Sequence, residues 1–409
     1  MDPIQPPAPR GAFKTGLRTL TSLLLVPYAF ILPMWIAPTY ILAGLIFFLW
    51  LVGADFRSDF EKVRNNRVVW ALLAFWLLNI VGLLWTEDMA GGWHTFSRAS
   101  LFLLVPVFMM VLKCEHVEAV LWSFLASMLL SCTISFLMYF RVSPSLFSSF
   151  TVGNGDPTAF MSHIHYPIYL SAACAVSLYY VLFDPAAGRW KKTLAGVLAL
   201  LFAADIFISN GRAGQLMFLV LIVVVIFQYY RERLLQAAVS VLIGIPILFT
   251  LVYNGVPDFR QRVDSGISDI QLHNSAEYTS VGARVVYALN GLTVFAEHPL
   301  IGVGTGDFVA ELEKVHRRDT PEYLFDIDVH NSYVLKMAQF GVLGLIAVFA
   351  IYFSQIRSAL RSSVPLQHYL GLSIPIMFVA ILWSDVYIEL HFSLMLFIFL
   401  SAIIYREPA

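Results

Sequence analysis

The sequence predicts an all-α integral membrane protein of about twelve transmembrane helices, with one large polar loop late in the chain. Of its 409 residues, 59% are hydrophobic and only 13% are charged. Soluble domains average about 45–50% apolar and about 25% charged residues. The apolar residues also gather in runs of about 20, the length that crosses a bilayer. This composition excludes a soluble enzyme, a disordered chain and a nucleic-acid-binding protein with a basic face.

The apolar runs divide the chain into three parts. A transmembrane bundle of nine spans is expected over residues 1–254, a polar loop over 255–331, and three further spans over 332–409. The predicted spans, in order, cover residues 19–36, 38–54, 68–85, 99–112, 119–140, 166–184, 193–208, 214–230, 237–254, 332–354, 366–385 and 389–405.

The distribution of basic residues predicts the orientation. With a cytoplasmic N-terminus, the inner segments hold sixteen Lys and Arg, whereas the short outer loops hold only Arg98, Arg141 and Arg212. Short cytoplasmic loops carry the excess of basic residues in membrane proteins, and long loops do not count toward this rule. We therefore expect both termini in the cytoplasm and the 255–331 loop on the outer side.

Two amphipathic helices are predicted within the 255–331 loop. Apolar residues recur at helical spacing from Ser280 to Glu297, and Pro299 follows the end. A second short helix is predicted over 308–316. We expect both to lie on the outer mouth of the bundle as a lid. The intervening Gly302–Asp307 stretch lacks the spacing of a phosphate-binding loop and is interpreted as a flexible turn.

Outer arginines are candidates for phosphate binding. Arg212 lies in the turn Ser-Asn-Gly-Arg-Ala-Gly, and Arg284 lies early in the predicted lid helix. Arg141 follows the fifth span, and Arg260 opens the long loop. A guanidinium matches phosphate oxygens in a bidentate fork, and glycines beside Arg212 permit close backbone approach. The alternative is that these arginines anchor headgroups or pair with nearby acids.

The stretch Asp-Ile-Asp-Val-His-Asn-Ser-Tyr, where the loop re-enters the membrane, is the second candidate. His330 has a side chain whose ordinary pKa near 6.5 suits proton abstraction from a hydroxyl group. The N-terminus of the following helix is expected to disfavour the protonated imidazole. Asn331 is a candidate substrate contact. The alternative is that His330 or Asn331 only caps the tenth span.

Other polar residues near span ends are weaker patterns. Asp326 and Asp328 form a D-x-D pair, which holds a metal-bound nucleotide sugar in some glycosyltransferases. No nucleotide-sugar pool exists outside the cell, so we interpret the pair as a solvated turn or a partner for an outer arginine. His163, His165 and Tyr166 precede the sixth span. The histidines lack nearby metal ligands, so interfacial hydrogen bonding is expected, and all three are counted as candidate substrate contacts.

A turn between the last two spans holds Asp385, Glu389 and His391. These residues either help to bind substrate or only satisfy a short outer turn.

Four of these short motifs, taken in order, resemble the O-antigen ligase family. They are Gly-Arg-Ala-Gly at 211–214, Gly-Ala-Arg at 282–284, Gly-Val-Gly at 302–304 and His-Asn-Ser at 330–332. The many spans and the single late outer loop are similar to that family over nearly the whole chain. The motifs are shared with O-antigen polymerases and protein O-oligosaccharyltransferases, although the latter usually have a larger C-terminal portion.

The resemblance implies a membrane glycosyltransferase of the GT-C-like type in the bacterial inner membrane, with its active site facing the periplasm. Such an enzyme joins O-antigen polysaccharide, carried on undecaprenyl diphosphate, to the lipid A-core acceptor. It implies that His330 is the catalytic base and that Arg212 and Arg284 hold the diphosphate, with no metal and no cofactor. The implied reaction is a single displacement with inversion.

Two alternatives remain at the level of sequence. An O-antigen polymerase shares the motifs, and a transporter or flippase for a polyprenyl-linked glycan also needs many spans and outer arginines. Transporters, however, place polar groups near the bilayer midplane. Here the polar residues gather at the outer edge, and Lys336 is the main ionisable residue inside a span.

Overall fold

The computed structural model describes residues 9–142, 157–271 and 280–407, which form helices joined by turns, with no β-strand among them. The α-helices, numbered in chain order, are α1 Pro9–Leu23, α2 Leu25–Ile31, α3 Ile36–Gly53, α4 Phe56–Val63, α5 Arg67–Val81, α6 Met89–Ser100, α7 Leu104–Val111, α8 Val117–Tyr139, α9 Tyr166–Leu178, α10 Arg189–Ile208, α11 Arg212–Tyr229, α12 Leu234–Gly255, α13 Pro257–Gln271, α14 Ser280–Glu297, α15 Phe308–Asp319, α16 Ser332–Arg361, α17 Pro365–Ile381 and α18 His391–Ile404.

The described residues include eight helical segments that are long and apolar enough to cross a membrane. This confirms the prediction of an all-helical, multi-pass membrane protein. The eight segments are Ile36–Gly53, Arg67–Trp85, Met89–Val111, Cys114–Tyr139, Tyr166–Phe183, Arg212–Tyr229, Leu234–Gly255 and Ser332–Arg361. The two predicted spans that end the chain correspond to the shorter apolar helices α17 and α18.

The first predicted span, 19–36, is divided in the structure. Helix α1 ends at Leu23 and α2 begins at Leu25. Pro27 explains the break, because a proline ring clashes with the carbonyl four residues earlier and offers no N–H to it. Pro33 follows the end of α2 in the same way.

Helix α9 is the most enclosed of the spans. It packs against α8, α10, α11 and α17, and every residue from Tyr166 to Ser177 is buried. Its middle is rich in Ser, Ala and Cys, and such small residues let helix backbones approach closely in a membrane. Ser171 donates from Oγ to the Gly214 carbonyl of α11 at 2.9 Å. This packing fixes the start of α9 relative to the start of α11.

Helix α16 is interrupted at Gly341, whose φ of 62° is left-handed. The 299–304 segment lies against this break, and the Val303 N–H donates to the Ala338 carbonyl at 3.0 Å. A Cβ at Gly341 would overlap the backbone of Leu300. The loop therefore supplies hydrogen bonds to carbonyls that a broken helix leaves without partners.

The 302–307 turn is buried and packed on both sides, which corrects the expectation of a flexible turn. The Asp307 carboxylate accepts the backbone N–H groups of Glu87 at 2.8 Å and Asp88 at 2.6 Å. A Cβ at Gly306 would overlap the Asp88 carbonyl oxygen. The glycines of this motif therefore permit close backbone packing, which the sequence pattern alone does not distinguish from flexibility.

Both predicted loop helices are confirmed. Helix α14 has the predicted bounds, and α15 covers the second pattern with Phe308, Leu312 and Val315 buried on one face. Helix α14 packs against α15 and α16. Gly291 of α14 lies against Val334 of α16 and against Val329, which precedes α16. Helix α13, which begins directly after α12, was not predicted.

Candidate functional site

The start of α16 is bound to the turn between α17 and α18. The Ser332 N–H donates to the Leu382 carbonyl at 2.7 Å, and the Ser332 hydroxyl donates to the Asp385 carbonyl at 2.8 Å. Ser332 is fully buried, so these bonds are shielded from solvent. They bring the 326–331 segment beside Asp385, although the two segments are separated by a kinked helix and α17.

His330 lies between two carboxylates at this junction. Its Nδ1 is 3.4 Å from Asp385 Oδ1, and its Nε2 is 3.3 Å from Asp326 Oδ2. The His330 side chain is 22% exposed and that of Asp385 only 6%, so the imidazole reaches the surface while Asp385 is enclosed. The backbone of His330 is left-handed, with φ of 47°. Such strain in a non-glycine residue is typical of functional positions.

The two carboxylates change the acid–base chemistry of His330. Its hydrogen bond to Asp385 raises the pKa of His330 above the ordinary value, outweighing burial, which lowers it. Burial acts to raise the pKa of Asp385, but hydrogen bonds from His330 and the Val386 N–H bring that pKa below its ordinary value. The two carboxylates therefore act on the pKa of His330 against the expected effect of the helix N-terminus, since full carboxylate charges outweigh a partial helix charge.

Helix α14 presents Arg284 and Tyr287 to this pair. The Arg284 charge lowers the pKa of Asp385 and acts in the same direction on the pKa of His330. The Tyr287 ring centroid is 6.0 Å from that of His330. Residues three apart share a helix face, so Arg284 and Tyr287 line the same side of the site. Arg284 is exposed, and the described residues offer it no carboxylate within ion-pair distance.

Arg212 is exposed at the first position of α11, where the chain packs on the segment before α9. A Cβ at Gly211 would overlap the His163 carbonyl oxygen, and one at Gly214 would overlap Pro167. The close backbone approach expected of these glycines therefore occurs, and the partner is the 163–167 segment. It places Gly211, the neighbour of Arg212 in the chain, against His163.

His165 lies near the Asp385 turn. Its ring centroid is 5.5 Å from that of Phe392, and the Asp385 charge acts on it. Burial lowers the pKa of His165 to about 4, so its imidazole is neutral at pH 7. Its Nδ1 is buried with no hydrogen-bond partner among the described residues, as are both ring nitrogens of His391. These atoms are available to a bound polar group.

Tyr166 and Asn331 are engaged in the protein's own structure. Tyr166 is fully buried and donates its hydroxyl to Asp205, which also accepts from Ser135 Oγ at 2.6 Å. Asn331 is the N-cap of α16, and its Oδ1 accepts the N–H of Tyr333 at 3.0 Å. The capping alternative therefore describes Asn331, whereas His330 is held by side chains.

Two of the candidate arginines are not joined to the site by any contact among the described residues. The Arg260 guanidinium lies over the Tyr253 ring at 5.3 Å and 3.8 Å from Asp264. Both partners are close in sequence, so this is a local arrangement at the start of α13. Arg141 is exposed beyond the end of α8, with φ of 55°.

The D-x-D pair is a local turn that supports His330. Asp326 Oδ1 accepts the Asp328 N–H at 3.0 Å while Oδ2 faces the imidazole. Burial raises the pKa of Asp328. The local turn agrees with one of the two expectations for this pair, and in place of the outer arginine of the other, Asp326 contacts His330.

Two further residues, Asp385 and Lys336, lie at the site, although no sequence pattern connects either of them with His330. The sequence predicts for Asp385 either a substrate contact or a short outer turn, because nothing local links it to His330. Lys336 is 1% exposed below the site, forms an ion pair with Glu389 and donates to Gln339 Oε1 at 2.7 Å. The sequence signal for this ion pair is that Lys336 is an isolated lysine in a predicted span and that Glu389 lies in a neighbouring outer turn.

Part of the chain is similar to a known family. Residues 197–349 match the family described as O-antigen ligase, which confirms the resemblance drawn from the motifs. The matched segment contains Arg212, Arg284 and His330. The chain is also 23% identical over 322 residues to an uncharacterised protein of Haemophilus influenzae, and the alignment covers 76% of each chain.

Proposed function

We propose that the protein is an O-antigen ligase that transfers O-antigen polysaccharide from undecaprenyl diphosphate to lipid A-core. The observation that carries the proposal is the His330–Asp385 pair with Arg284 beside it. Arg284 has no carboxylate partner among the described residues. A base held by a carboxylate, next to a guanidinium that forms no ion pair among the described residues, suits attack by a hydroxyl on a sugar with a diphosphate leaving group. The family match supports the same reaction class.

His330 is the proposed general base, and Asp385 is its positioning residue. Asp385 holds Nδ1, and Nε2, which contacts Asp326 Oδ2 at 3.3 Å, takes the proton of the acceptor hydroxyl when that hydroxyl displaces the Asp326 contact. The hydroxyl oxygen then forms a bond to the anomeric carbon as the bond from that carbon to the diphosphate oxygen breaks. The diphosphate leaves with the electron pair, and the configuration inverts. The raised pKa makes His330 a stronger base once it is deprotonated.

Arg284 and Arg212 are the proposed diphosphate ligands. Both are exposed, and their guanidinium groups are not paired with carboxylates among the described residues. Their charge stabilises the diphosphate most when it leaves, which is where charge stabilisation increases the rate. Arg141, at the end of α8, and Arg260 are proposed as outer contacts of the donor, and His163 and His165 as contacts nearer the reacting sugar.

The proposal extends to the membrane. We propose a GT-C-like bundle of twelve spans in the bacterial inner membrane, with both termini cytoplasmic and His330 facing the periplasm. Helices α14 and α15 then form a lid over the site. Two lipid-borne substrates enter sideways from the bilayer beneath it.

A reconstituted reaction tests the proposal. Purified protein is mixed with polyprenyl-diphosphate glycan and lipid A-core in excess EDTA, and the products are separated on a gel. The expected result is glycan joined to lipid A-core without any added metal ion. Longer glycan on the polyprenyl carrier in place of that product identifies a polymerase. Glycan that crosses a vesicle membrane without a new bond identifies a flippase. Activity that requires magnesium or manganese contradicts the metal-free mechanism.

A further inference from the structure

A second charged cavity lies at the end of the bundle away from His330. Helix α16 starts beside His330 and, after its break at Gly341, continues from Val342 to Arg361, a stretch that rises about 30 Å. The cavity at this far end has a volume of about 360 Å³. It lies between the start of α5, the end of α16 and the chain after α18. It is therefore separate from the proposed active site.

Four arginines line this cavity. They are Arg67, Arg357, Arg361 and Arg406, and Glu407 is the one acid among the lining residues. None of the four has a carboxylate partner among the described residues. Six other basic residues at the same end do lie within 3.8 Å of a carboxylate: Arg18, Arg57, Lys62, Lys113, Lys191 and Arg231. The lining of the cavity therefore carries an excess of positive charge, four arginines against one acid.

The chain that carries Arg406 is fixed in place. Asn66 donates from its side chain to the Tyr405 carbonyl at 2.6 Å, and Gln367 donates to the Arg406 carbonyl at 2.6 Å. The Arg406 Nη1 is 2.8 Å from Cys114 Sγ, whereas its Nε is buried and has no hydrogen-bond partner among the described residues. A buried N–H without a partner is costly unless another group accepts its hydrogen bond.

We propose that this cavity binds a phosphate group, carried by an anionic phospholipid headgroup or supplied as free phosphate. Guanidinium groups bind phosphate oxygens in bidentate pairs, and four of them from three segments surround one space. Ser358, Ser362 and Ser363 add hydroxyl donors to the lining. Basic pockets between helices at a membrane surface bind anionic headgroups in this way. A bound phosphate would tie α5, α16 and the end of the chain together.

Thermal unfolding and native mass spectrometry of the purified full chain test this proposal. The protein is compared in dodecyl maltoside micelles that contain phosphatidylglycerol or phosphatidylcholine, and in sodium phosphate or sodium chloride at equal ionic strength. We expect phosphatidylglycerol, but not phosphatidylcholine, to raise the unfolding midpoint and to remain bound in the mass spectrum. A rise with sodium phosphate, and no further rise with phosphatidylglycerol, assigns the site to free phosphate.

Charge-matched variants locate the binding. The triple variant Arg357→Gln, Arg361→Gln and Arg406→Gln is compared with Arg189→Gln, Arg231→Gln and Arg233→Gln, which removes equal charge from the same end outside the cavity. Each arginine near an anionic group contributes roughly fivefold in affinity, so the first variant should bind on the order of a hundredfold more weakly. The single variant Arg361→Gln should lose about fivefold, which keeps the test valid if the triple variant does not fold.

Three results overturn the proposal. One is that both phospholipids stabilise the wild type equally while phosphate has no effect. Another is that the control variant loses as much binding as the cavity variant. The third is that the single variant binds phosphatidylglycerol and phosphate as tightly as the wild type. Each result is independent of glycan transfer, so it is distinguishable from a failure of the proposed function.

Discussion

His330 and Asp385 are 55 residues apart in the chain, and His330 Nδ1 lies 3.4 Å from Asp385 Oδ1. Asp385 is enclosed and also accepts the Val386 N–H at 2.8 Å, so its orientation is fixed before the imidazole contributes. An enclosed, oriented carboxylate fixes both the ring position and the basicity of the histidine it holds. This pair is the basis of the first two predictions.

Replacement of His330 should separate catalysis from donor binding. In His330→Ala the base is absent while the arginines remain, so transfer should fall by about 10²–10⁴-fold and donor affinity should change little. The measurements are the rate of transfer and the binding of the polyprenyl-diphosphate glycan to the purified variant. A variant that transfers at close to the wild-type rate would show that His330 only ends the loop.

Asp385→Asn should move the acid side of the pH–rate profile to lower pH. Ionised Asp385 stabilises the imidazolium and raises the pKa of His330, so its neutralisation lets His330 lose its proton at lower pH. Asp326→Asn is the matched control. It should shift the profile in the same direction but less, because the Asp326 bond contributes less to the pKa of His330. Equal pH–rate profiles for the wild type and Asp385→Asn would mean that a group other than His330 controls the acid side of the profile.

Arg284→Lys should weaken donor binding and turnover together. Lysine keeps the charge but loses the planar fork. The loss should be on the order of tenfold, since one hydrogen bond to a charged group contributes roughly 1.5–3 kcal/mol. Arg317→Lys on α15 is the control, because Arg317 already pairs with Glu313. If the two variants bind the donor equally well, Arg284 does not hold the diphosphate.

Gly302→Ala should destabilise the protein. Gly302 has φ of 67°, and an added Cβ would overlap the Gln339 and Phe340 backbone at the α16 break. Strained backbone of this kind costs roughly 1–3 kcal/mol, before the overlap is relieved. Gly244→Ala on α12 is the control, since nothing lies within 4 Å of its Cβ position. The measurement is the midpoint of thermal unfolding in detergent, and equal midpoints for both variants would contradict the packing described for the 299–304 loop.

Thiol labelling should determine the orientation. In a variant with Cys114, Cys132 and Cys174 replaced, a single cysteine is placed at Trp190 or at Ala310, both of which are exposed. A membrane-impermeant reagent on spheroplasts should label position 310 and not position 190. Equal labelling would remove the basis for an outward-facing site.

The spans and the loop helices could be predicted because their signals are local. Apolar length determines the spans, and the 3.6-residue spacing from Ser280 to Glu297 determines α14. The candidate residues His330, Arg284 and Arg212 could also be named, because they occur in short polar motifs at the ends of apolar runs. These features depend on neighbours within one or two helical turns, so the order of residues is sufficient.

Only the tertiary structure decided which of these residues meet. It joined His330 to Asp385, used Tyr166 as a buried donor to Asp205, and packed the 302–307 turn against the 86–88 segment. It also gathered four arginines from three segments around one cavity. Such pairings join residues tens to hundreds of positions apart. They depend on how helices of similar apolar composition pack side by side, and that arrangement leaves no periodicity in the chain for a sequence pattern to reveal.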